Sequence, residues 1–183
     1  MIRTSKTEFV LLGLLANRSR TGYDLKKAIE TQLSHFWKES FGQIYPVLAR
    51  MEDAGLVTVE KSIEEGRPVR KIYSITEDGL DVLEEWLESP FQEIPMRNEL
   101  LLKLFFGKRT SKEVLEKHLR DYRARVQNRL IQLERTDKSM KKAEGLESGL
   151  FLFTLRFRIE EARAHLRWVD ECVHVLNSDS YRF

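Results

Sequence analysis

The sequence predicts a mainly α-helical protein with one small β-hairpin near its middle. Three observations support this prediction. Apolar residues recur at helical spacing over most of the 183 residues. Two alternating segments flank a cluster of turn residues. The C-terminal segment carries an unbroken pattern of apolar residues three and four positions apart. Pro90 and Pro95 interrupt the helical patterns, so we place a domain boundary between residues 1–90 and 91–183.

Two helices are expected before residue 38. Residues 6–16 are apolar on nearly every side, which indicates a buried helix. Ser5 and Glu8 have the spacing of a capping box at its start. Thr21 is a suitable N-cap for the second helix, whose apolar positions are four residues apart: Leu25, Ile29 and Leu33.

The segment after residue 40 predicts an amphipathic helix. Its inward face holds Ile44, Val47, Leu48 and Met51. Its outward face holds Gly42, Gln43, Tyr45, Pro46, Ala49, Arg50 and Asp53. Because proline lacks an N–H, we expect Pro46 in the first turn. Gly55 followed by Leu56 is typical of a helix C-terminus.

A hairpin follows this helix. Val57 and Val59 alternate with polar residues on the outgoing strand, as Tyr73 and Ile75 do on the returning one. Residues 64–68 have the composition of a turn. Four cations lie along the hairpin: Lys61, Arg67, Arg70 and Lys71. Thr76 then caps a further helix, whose expected apolar face is Leu80, Leu83, Trp86 and Leu87.

A helix beside a basic hairpin is the arrangement of a winged helix-turn-helix, which indicates binding to double-stranded DNA. Gln43 and Tyr45, with Pro46 and Arg50 on the same face, would meet base edges in the major groove. The hairpin cations Arg67, Arg70 and Lys71, with Gly66 at the tip, suit phosphates or a narrow minor groove. Tyr23, Lys26 and Lys27 would contact the DNA backbone. Ordinary solvent-exposed lysines remain an alternative for the last two.

The second half is expected to be helical and suited to association. Residues 97–106 are short and very apolar, and Thr110 with Glu113 has capping-box spacing for a long helix. The last helix carries a seam that includes Leu152, Leu155, Ile159, Leu166, Val169, Val173 and Leu176. A second apolar stripe on that helix favours an antiparallel helical dimerisation domain and a homodimer. The alternative is a hairpin of two helices that buries both stripes within one chain.

Charge and composition limit which partners and which cellular locations are compatible with the sequence. Residues 76–95 hold seven carboxylates and no Lys or Arg, between two mildly basic regions, so DNA contact must come from local patches. The single cysteine, Cys172, is compatible with a reducing cytoplasm. No apolar stretch approaches the roughly 20 residues of a membrane span. We therefore expect a soluble cytoplasmic protein with no membrane partner.

No enzymatic motif is present in the sequence. It lacks a phosphate-binding glycine loop, a nucleophile elbow, an HExxH motif and paired-cysteine zinc spacing. His165 lies four residues after Glu161, but a third metal ligand is missing. We therefore expect no catalytic residues, no metal and no cofactor.

Aromatic side chains could form a pocket for a small aromatic effector, between the two domains or at a dimer interface. The candidates are Phe36, Trp37, Trp86, Phe153, Phe157 and Trp168. Plain core packing explains the same residues equally simply, since large aromatic side chains usually fill space.

Several of these motifs together resemble the PadR family of transcriptional regulators. The similar segments are Thr21-Gly22-Tyr23-Asp24, Phe36-Trp37-Lys38, Gln43-Ile44-Tyr45-Pro46, Gly55-Leu56-Val57, Gly66-Arg67-Pro68 and Arg70-Lys71. The Phe36-Trp37-Lys38 segment and the long C-terminal region are similar to the larger, virulence-activator-like branch. One departure concerns the hairpin tip, where Glu64 and Glu65 add negative charge beside Arg67.

The resemblance implies a winged-helix domain followed by a helical dimerisation domain. It implies binding of a pseudo-palindromic operator through the third helix and the wing, in most members as a repressor. Phenolic or drug-like aromatic ligands release some members from DNA. The residues carried over are Gln43, Tyr45 and Pro46 on the helix, with Gly66, Arg67, Arg70 and Lys71 in the wing.

Two functional hypotheses follow from the sequence. The first is a homodimeric, sequence-specific regulator of transcription. The second is a winged helix used for protein contact, whose helical C-terminus binds a protein partner. The basic hairpin and the polar start of the third helix favour the first.

Overall fold

The computed structural model describes residues 5–37, 41–62, 69–93, 97–140 and 146–178. The chain divides into two compact units, residues 1–93 and residues 94–183, which we call the N-terminal and C-terminal units. The expected hairpin tip, with Glu64, Glu65, Gly66 and Arg67, lies outside the described residues.

The N-terminal unit has four helices and three short strands in its described part. In chain order they are α1 (Lys6–Ala16), β1 (Arg20–Thr21), α2 (Gly22–Ala28), α3 (Phe41–Asp53), β2 (Val57–Ser62), β3 (Arg70–Ile75) and α4 (Glu77–Glu88). A π-helical turn, Ile29–Leu33, extends α2. The predicted helices and the predicted hairpin are therefore present.

The sheet has the order β1-β3-β2, and both pairings are antiparallel. Tyr73 on the central strand faces Arg20 on one side and Val59 on the other. The pairing of β2 with β3 confirms the predicted hairpin. The strand β1 was not predicted, because two residues are too few to show an alternating pattern.

The predicted caps differ in outcome. The Thr21 hydroxyl oxygen accepts the Asp24 backbone N–H at 3.1 Å, and the Thr21 N–H donates to the Asp24 carboxylate at 3.2 Å, so this cap is confirmed. The capping box predicted at Ser5 is wrong. Its hydroxyl makes no cap bond and is buried without a partner in the described chain. The Ser5 carbonyl accepts the Glu8 N–H instead.

Helix α3 is amphipathic as predicted. Ile44, Val47, Leu48 and Met51 are at most 2% exposed, whereas the predicted outward residues are exposed. The prediction that Pro46 lies in the first turn is wrong. Helix α3 already includes Phe41, so Pro46 lies beyond the first turn. The carbonyl of Gly42 therefore lacks its helical N–H donor. That cost is small here, since Gly42 is exposed and water can take the place of the donor.

One hydrophobic core holds the N-terminal unit together. Helix α1 crosses its centre, with Leu11, Leu12 and Leu15 at most 1% exposed, so the prediction of a buried helix is confirmed. Around it pack α2, α3, the sheet and α4, through Leu25, Ala28, Ile29, Ile44, Val47, Leu48, Met51, Val57, Tyr73 and Leu83. In α4 the prediction for Leu87 is wrong, because this residue is exposed rather than part of the apolar face.

The C-terminal unit is helical in its described part. It contains α5 (Glu99–Phe105), a 3₁₀ turn (Gly107–Arg109), α6 (Lys112–Met140) and α7 (Leu146–Asn177). Helices α6 and α7 are antiparallel, since Arg123 pairs with Asp170 whereas Glu134 pairs with Arg163. The predicted cap at Thr110 is displaced by one residue. Helix α6 begins at Lys112. A hydrogen bond from its own backbone N–H, and then one from the Ser111 side chain, lower the pKa of Glu113.

The predicted dimerisation seam packs within the chain, and its role in a dimer stays a prediction. Its residues pack against α6 of the same chain, in two clusters that contain Val126, Leu130 and Leu133 or Leu115 and Leu119. The seam residues buried or half-buried in this way are Leu152, Leu155, Ile159, Leu166, Val169, Val173 and Leu176. An unbroken pattern of this kind cannot distinguish a partner helix in the same chain from one in a second chain. The seam is thus part of the core of one chain.

Replacement of Gly79 by alanine is expected to destabilise the N-terminal unit. A Cβ atom at Gly79 would lie 2.3 Å from the carbonyl oxygen of Leu56, which is backbone and cannot move aside cheaply. We expect Gly79→Ala to lower the free energy of unfolding by up to about 3 kcal/mol. Urea unfolding followed by tryptophan fluorescence measures this change.

Gly13→Ala is the matched control, because Gly13 is also helical and nothing lies within 4 Å of its added Cβ. That change should be neutral or stabilising by up to about 1 kcal/mol, through helix propensity alone. Equal losses of stability in both variants would contradict the close contact at Gly79.

Candidate nucleic-acid interface

The outward face of α3 presents a polar and aromatic surface. Gln43, Pro46 and Arg50 are exposed, and Tyr45 is 60% exposed. The inward face of the same helix is anchored in the core, so the outward side chains project from a rigid element. A helix held in this way can enter the major groove of DNA and present its N-terminal half to base edges.

Tyr45 also has a structural role that the sequence analysis missed. Its ring lies against Gly22 at the start of α2, where a Cβ atom would approach the Tyr45 Cε1 atom to 2.5 Å. The contact needs a residue without a side chain at position 22. The Tyr45 ring thus lies between the N-terminus of α2 and the exposed face of α3.

Helix α2 carries the residues that are predicted to contact the DNA backbone. Tyr23 is 66% exposed and Lys27 is exposed, while Lys26 is half-buried. Asp24 shares this end of the helix, and the hydrogen bond from the Thr21 side chain is the main reason why the pKa of Asp24 is lowered. The carboxylate is thereby retained for the cap, which holds the start of α2 in place.

The hairpin brings cations to the same unit. Arg70 and Lys71 are exposed at the start of β3, and Lys71 faces Lys61 across the hairpin. Like charges on directly opposite positions repel each other unless an anion lies between them. This pair therefore suits an anionic partner such as a phosphate group. Gly66 and Arg67, which were predicted beside these cations, lie outside the described residues.

The three elements enclose an open groove of about 790 Å³. Helix α2 contributes Tyr23 and Asp24, helix α3 contributes Tyr45 and Glu52, and the hairpin completes the wall with Val69, Arg70, Lys71 and Tyr73. The groove thus brings together four predicted residues, which are Tyr23, Tyr45, Arg70 and Lys71. The other predicted residues on α2 and α3 do not line it: Lys26, Lys27, Gln43, Pro46 and Arg50.

Arg20 and Arg50 differ from the other cations. Arg20 is buried, and its Nε donates to the carbonyl of Leu14 at 3.0 Å, so it joins β1 to α1. The charge of Arg50 reaches α1, where it partly opposes the rise in the pKa of Glu8 that burial causes.

Three of the six aromatic residues predicted for a ligand pocket, Phe36, Trp86 and Trp168, have separate local ring contacts. In the N-terminal unit, Trp86 stacks on Phe9 with ring centroids 4.5 Å apart, and Phe36 is exposed beside His35. Trp37 is half-buried. In the C-terminal unit, Trp168 meets Tyr122 edge to face, while Phe153 and Phe157 are exposed. The shared pocket stays a prediction.

Two further observations concern a possible metal site and a possible membrane span. Among the residues that the structure describes, no three His, Cys, Asp or Glu side chains are grouped as a metal site would need. The His165 Nδ1 is hydrogen-bonded to the Tyr122 hydroxyl at 2.8 Å. Within the described ranges, no helix is both long and apolar enough to span a bilayer.

Helices α1, α2 and α3 pack around one core, the outer face of α3 is exposed, and a basic hairpin adjoins it. This arrangement defines a winged helix-turn-helix protein. Comparison with known families agrees. The transcriptional regulator PadR-like family model matches residues 11–85, and the virulence activator alpha C-terminal model matches residues 96–177. The negative transcriptional regulator PadR of Bacillus subtilis is 26% identical over 180 residues, which cover 94% of this chain and 98% of that protein.

Solved structures give the same result. Bacillus subtilis PadR in complex with operator DNA has a TM-score of 0.82 and 25% identity, and the match covers 93% of this chain and 98% of that one. The Vibrio cholerae virulence activator AphA has a TM-score of 0.79 and 27% identity, with 94% and 98% covered. Bacillus subtilis PadR in complex with p-coumaric acid shares the fold, with a TM-score of 0.80, 23% identity and 93% and 98% covered.

Residues 11–85 thus form a PadR-like family domain, followed by the virulence activator alpha C-terminal domain, and the protein is a DNA-binding transcriptional regulator rather than an enzyme. Its C-terminal half is that of the virulence-activator-like branch.

Replacement of Gly22 by alanine is expected to weaken operator binding. The added methyl group must displace the Tyr45 ring, whose far end can move at little cost to stability. We expect the affinity for an operator selected from random duplex DNA to fall about tenfold, a loss of about 1.4 kcal/mol. Fluorescence anisotropy with labelled duplex measures this affinity.

A double-mutant cycle tests the cause. In a Tyr45→Ala background the ring is absent, so Gly22→Ala should cause no further loss. Additive losses would show that Gly22 acts independently of Tyr45.

Proposed function

We propose that the protein is a homodimeric repressor that acts in the cytoplasm on a pseudo-palindromic operator. Each protomer would place α3 in a major groove, with the two grooves about one helical turn apart. Gln43 would read base edges, with Tyr45 and Pro46 beside it. Arg70 and Lys71, together with Gly66 and Arg67 of the hairpin tip, would contact the DNA backbone or the minor groove.

The observation that carries this proposal is the groove shared by α2, α3 and the hairpin. Its walls present polar, aromatic and cationic side chains from three elements on one side of the N-terminal unit. Tyr23, Lys26 and Lys27 on α2 would set the register through phosphate contacts. Arg50 would add a phosphate contact from the last turn of α3.

The direction of regulation is proposed from the relative that matches along the whole chain. Bacillus subtilis PadR is a negative regulator, and 98% of it aligns with this protein. A repressor needs only an operator that overlaps the promoter, and no additional surface on the protein.

The proposed dimer surface is α5 together with the exposed side of α7. No residue of α5 is buried in the chain, although it is mostly leucine and phenylalanine. Exposed apolar side chains in such a cluster favour association with another protein surface. The exposed members on α5 and after it are Leu101, Leu102, Phe105 and Phe106, and those on α7 are Leu150, Phe153 and Phe157.

A small aromatic effector is the remaining part of the proposal. The support is a PadR structure that contains p-coumaric acid. Phe36 and Phe157 are exposed large aromatic residues that a ligand could cover on binding. The other candidate residues are Trp37 and Trp86 in the N-terminal unit, and Phe153 and Trp168 in the C-terminal unit.

The roles of the wing and of α3 predict different effects of mutation. Replacing both Arg70 and Lys71 by glutamine should weaken binding to every duplex and reduce the slope of log affinity against log salt by about 2. Gln43→Ala should cost about 1–3 kcal/mol at one base pair and relax sequence choice there. Titrations at several salt concentrations, with operator and scrambled duplexes, measure both effects.

A control with equal loss of charge is Lys108→Gln with Arg109→Gln, two exposed residues in the C-terminal unit. That variant should keep most of the affinity. If Gln43→Ala weakens all duplexes equally while the wing variant changes sequence choice, the assigned roles are reversed and the proposal fails.

The dimer surface predicts a monomeric variant. Leu102→Glu with Phe105→Glu places two charges on a surface that is apolar at present, so the dimer should dissociate while the helical circular dichroism is retained. Sedimentation velocity measures the assembly state. Leu87→Glu is the control, since Leu87 is 66% exposed on α4 and outside the proposed surface.

A wild-type protein that sediments as a monomer would overturn the dimer. A dimer that persists in the Leu102→Glu, Phe105→Glu variant would place the interface elsewhere.

A further inference from the structure

The groove shared by α2, α3 and the hairpin contains carboxylates as well as cations. Asp24 on α2 and Glu52 on α3 line it together with Arg70 and Lys71 on the hairpin, so two negative charges balance two positive ones. Binding of the phosphate backbone is strengthened by cations and weakened by carboxylates. The proposed DNA-binding groove therefore carries two charges that oppose DNA.

One of these carboxylates has a structural role. The Asp24 carboxylate accepts the Thr21 hydroxyl at 2.7 Å and the Thr21 N–H at 3.2 Å, which completes the cap at the start of α2. Glu52 has no comparable role. It is exposed, and in the described part of the chain no cation lies within ion-pair distance of its carboxylate. Folding of the N-terminal unit does not explain a carboxylate at position 52.

The side chain of Glu52 is directed towards the hairpin. Burial raises the pKa of Tyr73, and the charge of Glu52 raises it further, so the carboxylate lies close to the Tyr73 hydroxyl. Lys71 and Tyr73 are two residues apart on β3 and therefore share one face of that strand. Glu52 thus places a negative charge beside the strand that carries the proposed phosphate contacts.

Operator DNA and other DNA are expected to meet this charge differently. Glu52 is nine residues beyond Gln43, which is about 14 Å along the axis of an α-helix. When Gln43 contacts a base edge, the N-terminal half of α3 lies in the major groove, and the end with Glu52 is held at a fixed position relative to the phosphates. DNA without the operator offers no such base contact. It is held by phosphate contacts alone, and its phosphates can move past Glu52.

We propose that Glu52 is a specificity-determining residue, whose negative charge weakens binding to DNA without the operator more than binding to the operator. The cations of the hairpin attract any duplex, and Glu52 limits this attraction unless base contacts fix the position of α3. Affinity for the operator then depends on the residues of α3 that contact bases. This inference rests on the proposed placement of DNA in the groove.

The test compares Glu52→Gln with the wild-type protein in fluorescence anisotropy titrations. The two labelled duplexes are an operator selected from random DNA and a scrambled sequence of the same length and composition. We expect Glu52→Gln to bind the scrambled duplex about threefold more tightly, the effect of one unit charge some 7 Å from a phosphate in water. The gain for the operator should be smaller, so the ratio of the two affinities falls. High salt should reduce the gain.

Two further variants separate charge in the groove from other effects. Glu84→Gln is the matched control, because Glu84 is exposed on α4 and does not line the groove. It removes the same charge and should leave both affinities unchanged. Glu52→Asp keeps the charge with a shorter side chain and should retain the wild-type ratio. Urea unfolding of each variant shows whether the fold is equally stable.

Four results would overturn the inference: an unchanged affinity of Glu52→Gln for the scrambled duplex, an equal gain for both duplexes, the same gain in Glu84→Gln, or weaker binding of both duplexes. The last result would mean that Glu52 supports the hairpin instead. If Arg70→Gln with Lys71→Gln loses affinity while Glu52→Gln behaves like the wild type, only this inference fails. If that hairpin variant keeps full affinity, DNA does not lie in the groove, and the proposed function fails as well.

Discussion

The contact around Thr76 holds the N-terminal unit in its working arrangement. The Thr76 hydroxyl donates to the carbonyl of Gly55 at 2.7 Å and accepts the N–H of Gly79 at 3.1 Å. The Thr76 N–H donates to the carbonyl of Leu56. Gly55 has a φ of 74°, which ends α3 and turns the chain into β2. One residue thereby joins the end of α3, the base of the hairpin and the start of α4, so the hairpin cannot move independently of α3.

The two units differ in which helix faces they bury and which they leave exposed. The N-terminal unit buries the leucines at the centre of α1 and leaves the polar face of α3 in solvent. The C-terminal unit buries the long seam of α7 against α6, so its exposed apolar side chains lie mainly on α5 and on the other side of α7. Paired helices of 29 and 32 residues need no second chain to cover that seam. The proposed partner would cover the exposed leucine and phenylalanine side chains instead.

Most elements of the fold could be predicted from local patterns. The apolar spacing of α3, the cap at Thr21 and the alternation of β2 and β3 each depend on neighbouring residues. Local patterns failed where a contact between residues distant in the sequence determines the structure. The burial of Arg20 depends on a carbonyl of α1, and the contact of Gly22 with Tyr45 joins residues 23 positions apart in the sequence. At Ser5 a capping motif is present, but its hydroxyl is not used.

The sequence by itself determined the class of fold and the composition of the candidate DNA-binding face, because helical and strand periodicity place side chains on one face or the other. Only the tertiary structure decided which apolar face meets which partner, since periodicity carries no information about distance in space. It placed the seam of α7 inside one chain and left α5 exposed. It also brought Glu52 into one groove with Arg70 and Lys71, which are far from it in the sequence, and so combined charges that no local motif contains.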